Sequence, residues 1–111
     1  MANRRYEKGR RFEQRIRKRL KSMGFFVVRA AGSKPIDLVA IKDGKTVLIE
    51  CKKYKRLIRP DTRLFLETLG KQLQVETTLA YNNKNRIIFE VIYSPYEKPL
   101  LKIHKDKKDG I

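Results

Sequence analysis

The sequence predicts a single α/β domain with a mixed central β-sheet flanked by helices, in the order α-β-β-β-α-β-β. The chain has 111 residues, enough for one core and no second. Apolar residues recur at helical spacing over 3–23 and 60–74, and short β-branched and aromatic runs bounded by turn residues fill the rest. Asp43-Gly44, between two apolar runs, suits a two-residue type I′ hairpin, because both of its central positions need positive φ.

The first helix is predicted over 3–23, with Asn3 able to cap its start, Gly24 placed as the residue that ends it, and Phe12, Ile16 and Leu20 repeating every fourth position. Its remaining surface is basic. Arg4, Arg5, Lys8, Arg10, Arg11, Arg15, Arg17, Lys18, Arg19 and Lys21 are opposed only by Glu7 and Glu13. Glu13 lies on the edge of the apolar stripe, three residues before Ile16, whereas Glu7 sits a turn earlier on a neighbouring line. Glu13 either balances charge against Arg10 or Arg17, which is worth a few tenths of a kcal/mol, or reaches toward the sheet as a working carboxylate. Residues 25–29 follow as the first strand, antiparallel to 38–41 across the loop 30–35. In that loop Gly32-Ser33-Lys34 either simply connects, or brings amides, a hydroxyl and a cation to a phosphate.

The Asp43-Gly44 turn sets a register in which Lys42 faces Lys45 and Asp37 lands opposite Glu50. Lys52 joins the same face at the strand period of two, and Cys51 points the other way. Strands 38–41 and 47–51 are apolar on both faces, as expected of strands covered on both sides. Two adjacent carboxylates either share a proton or hold a cation. Oxygen ligands alone favour a hard ion, Mg²⁺ or Mn²⁺, and a lysine beside it can orient water or stabilise charge on a phosphate. The bland alternative is a hairpin end carrying ordinary solvated charges.

Beyond the hairpin, Lys53-Tyr54-Lys55-Arg56 sets a ring among cations, a pattern that suits a nucleic-acid backbone and an unstacked base as well as a solvated exit from the sheet. Pro60-Asp61-Thr62 signals a second helix, capped by Asp61 or Thr62 and running to Gln74. Its apolar residues Leu64, Phe65, Leu66, Leu69 and Leu73 form a stripe wider than one buried face needs, so that Phe65 or Leu66 left outside would make a self-complementary dimer patch. Strands are expected over 77–81 and 86–93, joined by the turn-rich 82–85 and stopped at Ser94-Pro95. Residues 102–111, with Lys102, Lys105, Lys107 and Lys108, form a basic tail.

The charge points to a polyanion. Lys and Arg number 28 against 12 Asp and Glu, a formal charge of +16, which favours nucleic acid through counterion release, with an acidic membrane surface as the rival. No apolar run approaches the roughly 20 residues of a spanning helix, and no signal-type apolar segment follows the basic N-terminus, so an intracellular protein is expected. One cysteine and one histidine allow neither an internal disulfide nor a Cys/His zinc site.

Pro35-Ile36-Asp37, about a dozen residues, then Glu50-Cys51-Lys52 resembles the signature of the PD-(D/E)XK nuclease superfamily, whose fold is a restriction-endonuclease-like core. Residues 6–13, together with Gly24-Phe25, residues 27–34 and Asp37-Leu38-Val39-Ala40, resemble the archaeal Holliday junction resolvases more specifically. The resemblance implies a nuclease domain over 1–101 and a homodimeric, Mg²⁺-dependent endonuclease that cuts four-way DNA junctions in two opposed strands. It implies catalytic roles for Glu13, Ser33, Asp37, Glu50 and Lys52. Glu13, Asp37 and Glu50 would be metal ligands or their supports, Lys52 the catalytic lysine, and Ser33 a loop residue near the cut strand. Arg4, Arg5, Lys8, Arg10, Arg11, Arg29, Lys34, Lys53, Lys55 and Arg56 would bind DNA, and Leu64, Phe65, Leu66 and Leu69 would form the dimer interface. A superfamily relative acting on other DNA structures and a non-catalytic basic architectural protein are the alternatives.

Overall fold

A computed structural model describes residues 4–30 and 36–101, with side chains from Gly9 onward. The expectations for Asn3, Ser33, Lys34 and the tail at 102–111 lie outside the described residues, as do the side chains of Arg4, Arg5, Glu7 and Lys8. The elements are α1 (Arg4–Ser22), β1 (Phe26–Arg29), β2 (Leu38–Lys42), β3 (Lys45–Tyr54), a 3₁₀ turn at Lys55–Leu57, α2 (Pro60–Leu73), β4 (Glu76–Asn83) and β5 (Arg86–Tyr93). One five-stranded sheet runs β1-β2-β3-β4-β5. Its pairs are antiparallel except β3 with β4, which are parallel and therefore joined by the α2 crossover. Among the described residues no helix is long and apolar enough to cross a membrane.

Turn chemistry sets the registers. Asp43 and Gly44 both hold positive φ, 54° and 74°, and Lys42 pairs with Lys45 as the type I′ turn demands. The β4–β5 connection is tighter than the expected 82–85, because Lys84 and Asn85 both adopt left-handed φ and the strands pair up to Asn83 with Arg86. At the end of α1, Gly24 takes φ +95°, and the Lys42 ammonium donates to the Met23 carbonyl at 2.7 Å, tying the helix exit to β2.

Each helix covers one side of the sheet. Phe12, Ile16 and Leu20 of α1 are buried with Leu38, Ala40, Val47, Ile49 and Phe89. On the opposite side Leu66 of α2 is buried with Leu79 and Tyr81, flanked by Ile36, Ile58, Ile88 and Ile92. The chain then returns across the sheet. The fully buried Glu76 carboxylate accepts hydrogen bonds from the Ser94 hydroxyl and the Leu100 and Leu101 amides at 2.8–2.9 Å, and the Tyr96 hydroxyl bonds to the backbone of Thr46.

Three expectations are corrected. The α2 cap is Arg59, with no side-chain cap bond, because Pro60 occupies the first helical position, where its fixed φ and missing N–H fit; Asp61 lies inside the first turn. Leu66 is fully buried against the sheet and cannot belong to a dimer interface. Strand β2, expected to be covered on both faces, is covered among the described residues on one only, as is β1, since α2 packs on β4 and β5. Phe26, Val28 and Ile41 are consequently 67%, 43% and 37% exposed.

Candidate active site

The hairpin brings together the residues at its open end. Leu38 pairs with Ile49, and just before β2 the Asp37 amide donates to that same Ile49 carbonyl at 3.0 Å, so Asp37 leaves the regular ladder beside Glu50. Beyond them the Cys51 amide donates to Asp37 Oδ2 at 2.8 Å, fixing the carboxylate over the start of the β3 extension. Ala30 N–H donates to the Asp37 carbonyl at 2.8 Å, which anchors the residue from β1 as well. Glu50 pairs with Leu79, and Lys52 with Tyr81, so both point to the α2 side. The Lys52 ammonium lies 3.4 Å from Glu50 Oε2.

Glu50 is only 5% exposed, and among the described residues no donor reaches its buried Oε1. Burial, then the Asp37 carboxyl close enough to share a proton, push the Glu50 pKa from its ordinary 4.5 to about 8, against the opposing pull of Lys52. Burial first, and then the carboxylates of Asp37, Glu13 and Glu50, also hold the Cys51 thiol pKa well above its usual range. Two carboxyl groups, one of them with a buried oxygen that meets no donor among the described residues, fit a hard divalent cation in place of the shared proton.

The remaining sequence candidates separate. Glu13 lies on the α1 side and pairs with Arg29 Nε at 2.5 Å, rather than with Arg10 or Arg17. Among the described residues no group of three acidic, histidine or cysteine side chains forms a metal cage, while the Glu13, Asp37 and Glu50 carboxylates all act on the Cys51 thiol between them. Arg10, Arg11, Lys55 and Arg56 are exposed and Lys53 is half-buried. Sequence reasoning assigned no role to the outward apolar patch of Phe26, Val28 and Ile41. The alternation of Phe26-Val27-Val28 with Leu38 to Ile41 carried the signal, in that both faces are apolar while only one helix per face was available to cover five strands.

Residues 4–67 match the family described as archaeal Holliday junction resolvase (Hjc), over more than half of the chain. The chain belongs to that family. It is similar to the crossover junction endodeoxyribonuclease Hjc of Methanocaldococcus jannaschii, 45% identical over 47 residues that cover 42% of this chain and 35% of that relative's length. Among solved structures it resembles Hjc of Archaeoglobus fulgidus, a Holliday junction resolvase, with a TM-score of 0.64 and 28% identity over 77% of this chain and 73% of the other. The family match holds α1, the hairpin with Asp37, Glu50 and Lys52, and most of α2; it ends before β4 and β5.

Proposed function

We propose that this chain is a structure-specific DNA endonuclease that resolves four-way junctions by paired, symmetric hydrolysis of phosphodiesters. The observation that carries the reading is the Asp37, Glu50 and Lys52 cluster, built at the carboxyl end of β3 beside Lys53 and Arg56 in a member of a resolvase family. Asp37 and Glu50 would hold a divalent ion, Mg²⁺ or its substitute Mn²⁺, which when bound supplies charge neutralisation at the phosphate and an acidified water. The protein's own contribution is positioning and charge. The Cys51 amide keeps the Asp37 carboxylate pointed at the site, and Lys52, held by Glu50, offers its ammonium to the charge that develops on the phosphate oxygens. Glu13 acts as a support, orienting Arg29 at the end of β1 beside the Asp37 anchor. Arg10, Arg11, Lys53, Lys55 and Arg56 grip the DNA backbone without reading bases, and DNA as substrate accords with an intracellular protein.

Two opposed cuts require two such sites, and a C₂ dimer is the simplest way to present them. On α2, Arg63 pairs with Glu90 and Gly70 lies against Tyr93, so that flank faces β5. At 100° per residue, Phe65, Leu69 and Leu73 form a ridge on the opposite flank, toward β3. There the uncovered sheet face continues with Leu48, Val39, Val28, Ile41 and Phe26, all on the α2 side by strand parity. Ridge and sheet face together make one apolar trough, and we assign the second copy's α2 as its occupant, with Leu64 contributing from the outer surface. This interface retains Leu64, Phe65 and Leu69 and replaces Leu66 by the sheet.

The deciding experiment compares a labelled four-way junction with a linear duplex of the same sequence, with Mg²⁺ and with EDTA. Paired nicks in opposed junction strands, dependent on Mg²⁺ and absent from the duplex, are expected. Equal cutting of the duplex would reassign the substrate, and tight salt-sensitive binding with no cutting in any divalent ion would leave a DNA-architectural protein.

A further inference from the structure

We infer that Tyr54, gripped by Lys53 and Arg56 at the end of β3, is a stacking platform for an unstacked nucleobase face near the cut phosphate. This rests on the nuclease reading above and names a feature of the DNA that the same site would take. The Tyr54 ring belongs to neither buried core and is 36% exposed, so it does not serve packing. Instead it carries cations: the Arg56 guanidinium lies 4.5 Å and the Lys53 ammonium 5.7 Å from its centroid. Among the described residues no carboxylate pairs with Lys53, Lys55 or Arg56; nearby Asp61 is taken by Arg59 and Glu90 by Arg63. The cations are thus held in place by an aromatic face, which leaves their N–H groups for phosphates.

The backbone aims the ring. Lys52 pairs with Tyr81 and Tyr54 with Asn82, with a register shift between them. Such a bulge bends the strand and redirects the side chains beyond it. Two strand residues span about 7 Å, which matches two nucleotides at about 3.4 Å per stacked step. A phosphate held at Lys52 therefore places a base one or two nucleotides away over the Tyr54 ring, with flanking phosphates at Lys53 and Arg56. Aromatic stacking accepts any base but needs an exposed π-face. The exchange point of a four-way junction offers one; an intact duplex keeps its bases stacked on each other. Tyr54 accordingly contributes to preference for branched over linear DNA, whereas Arg10 and Arg11 serve both.

Full-length wild type, Tyr54→Ala and Tyr54→Phe are compared in EDTA for binding to a four-way junction, a linear duplex and a single-stranded oligonucleotide, over a range of salt. Tyr54→Ala should weaken junction and single-strand binding by about 5- to 100-fold, with duplex affinity and the salt slope unchanged, and Tyr54→Phe should bind like wild type. Equal loss on all three DNAs with a shallower slope would overturn the inference and make the ring only a holder of its cations; so would no loss at all. If wild type neither prefers nor cuts junctions while Tyr54→Ala still loses single-strand affinity, the stacking site stands and the resolvase reading falls. Circular dichroism melts of the variants exclude misfolding as the cause.

Discussion

Replacing Glu50 by Gln tests the carboxyl pair in a way that activity alone does not. In the wild type without divalent ions, Glu50 has its pKa raised from 4.5 to about 8, so between those values the folded protein keeps a proton that the unfolded chain has released. The unfolded state then binds fewer protons, and stability falls as pH rises through this window. It is fully present below pH 4.5 and lost above about pH 8. At 1.36 kcal/mol per pH unit the whole displacement is an upper bound on the order of 5 kcal/mol, and sharing of the proton with Asp37 reduces it, giving an expected loss of about 2 to 5 kcal/mol. Burial makes Cys51 titrate above this range, so Glu50 dominates among the described groups. Urea unfolding in EDTA at pH 5, 7 and 9 is the assay. With a slope of about 2 kcal/mol per molar, the wild-type midpoint should drop by about 1 to 2.5 M between pH 5 and 9, while Glu50→Gln, neutral throughout, should change far less and be the more stable protein at pH 9. Adding Mg²⁺ at pH 9 should restore the wild type and not the variant, because the ion neutralises a buried Glu50 carboxylate that has already lost its proton, and the amide offers it no charge. Parallel pH profiles for the two proteins would refute the raised pKa, and with it the reading of Asp37 and Glu50 as a pair awaiting a cation.

Asp37→Ala and Lys52→Ala should each slow junction cleavage by orders of magnitude while leaving junction affinity in EDTA near wild type, measured by single-turnover kinetics and titration; Glu7→Ala should do neither. Phe65→Asp and Phe26→Asp should each convert the dimer to monomer in sedimentation equilibrium at micromolar concentration and abolish paired cutting, and a dimer that survives both charges would move the interface elsewhere. Glu76→Ala removes the acceptor of the Leu100 and Leu101 amides and the Ser94 hydroxyl, so it should lower the unfolding free energy by about 3 kcal/mol or more, because these donors are left unpaired next to a new cavity. An unfolding free energy within about 0.5 kcal/mol of wild type would show that residues 94–101 are held by other contacts.

What was legible in the sequence followed from local rules. Asp43-Gly44 admits one kind of tight turn, and once that turn is set the ladder runs back to Leu38 and Ile49, which leaves Asp37 beside Glu50, while the strand period puts Lys52 on the face of Glu50. The Phe12, Ile16, Leu20 spacing and Gly24 likewise specify a helix, its buried face and its end without reference to anything distant. Long-range geometry escaped. Glu13 has the right helical face to approach the hairpin, but whether it reaches Asp37 or stops at Arg29 depends on how α1 crosses the sheet, which its own periodicity does not encode. Burial of Leu66 and exposure of Phe65 are separated by one helical step of 100°, so a stripe that includes both cannot say which one meets the sheet. The same ambiguity hid the outward face of β1 and β2. Apolar residues on both sides of a strand read identically whether the second cover comes from the same chain or from another, and here α2 is spent on β4 and β5. The uncovered face of Phe26, Val28 and Ile41 then requires either an aggregation-prone surface or a partner. In a small basic domain whose proposed chemistry needs two identical sites, a second copy of itself would meet that requirement, so the pattern that misled the reading of cover within one chain is what would connect the fold to the proposed dimer.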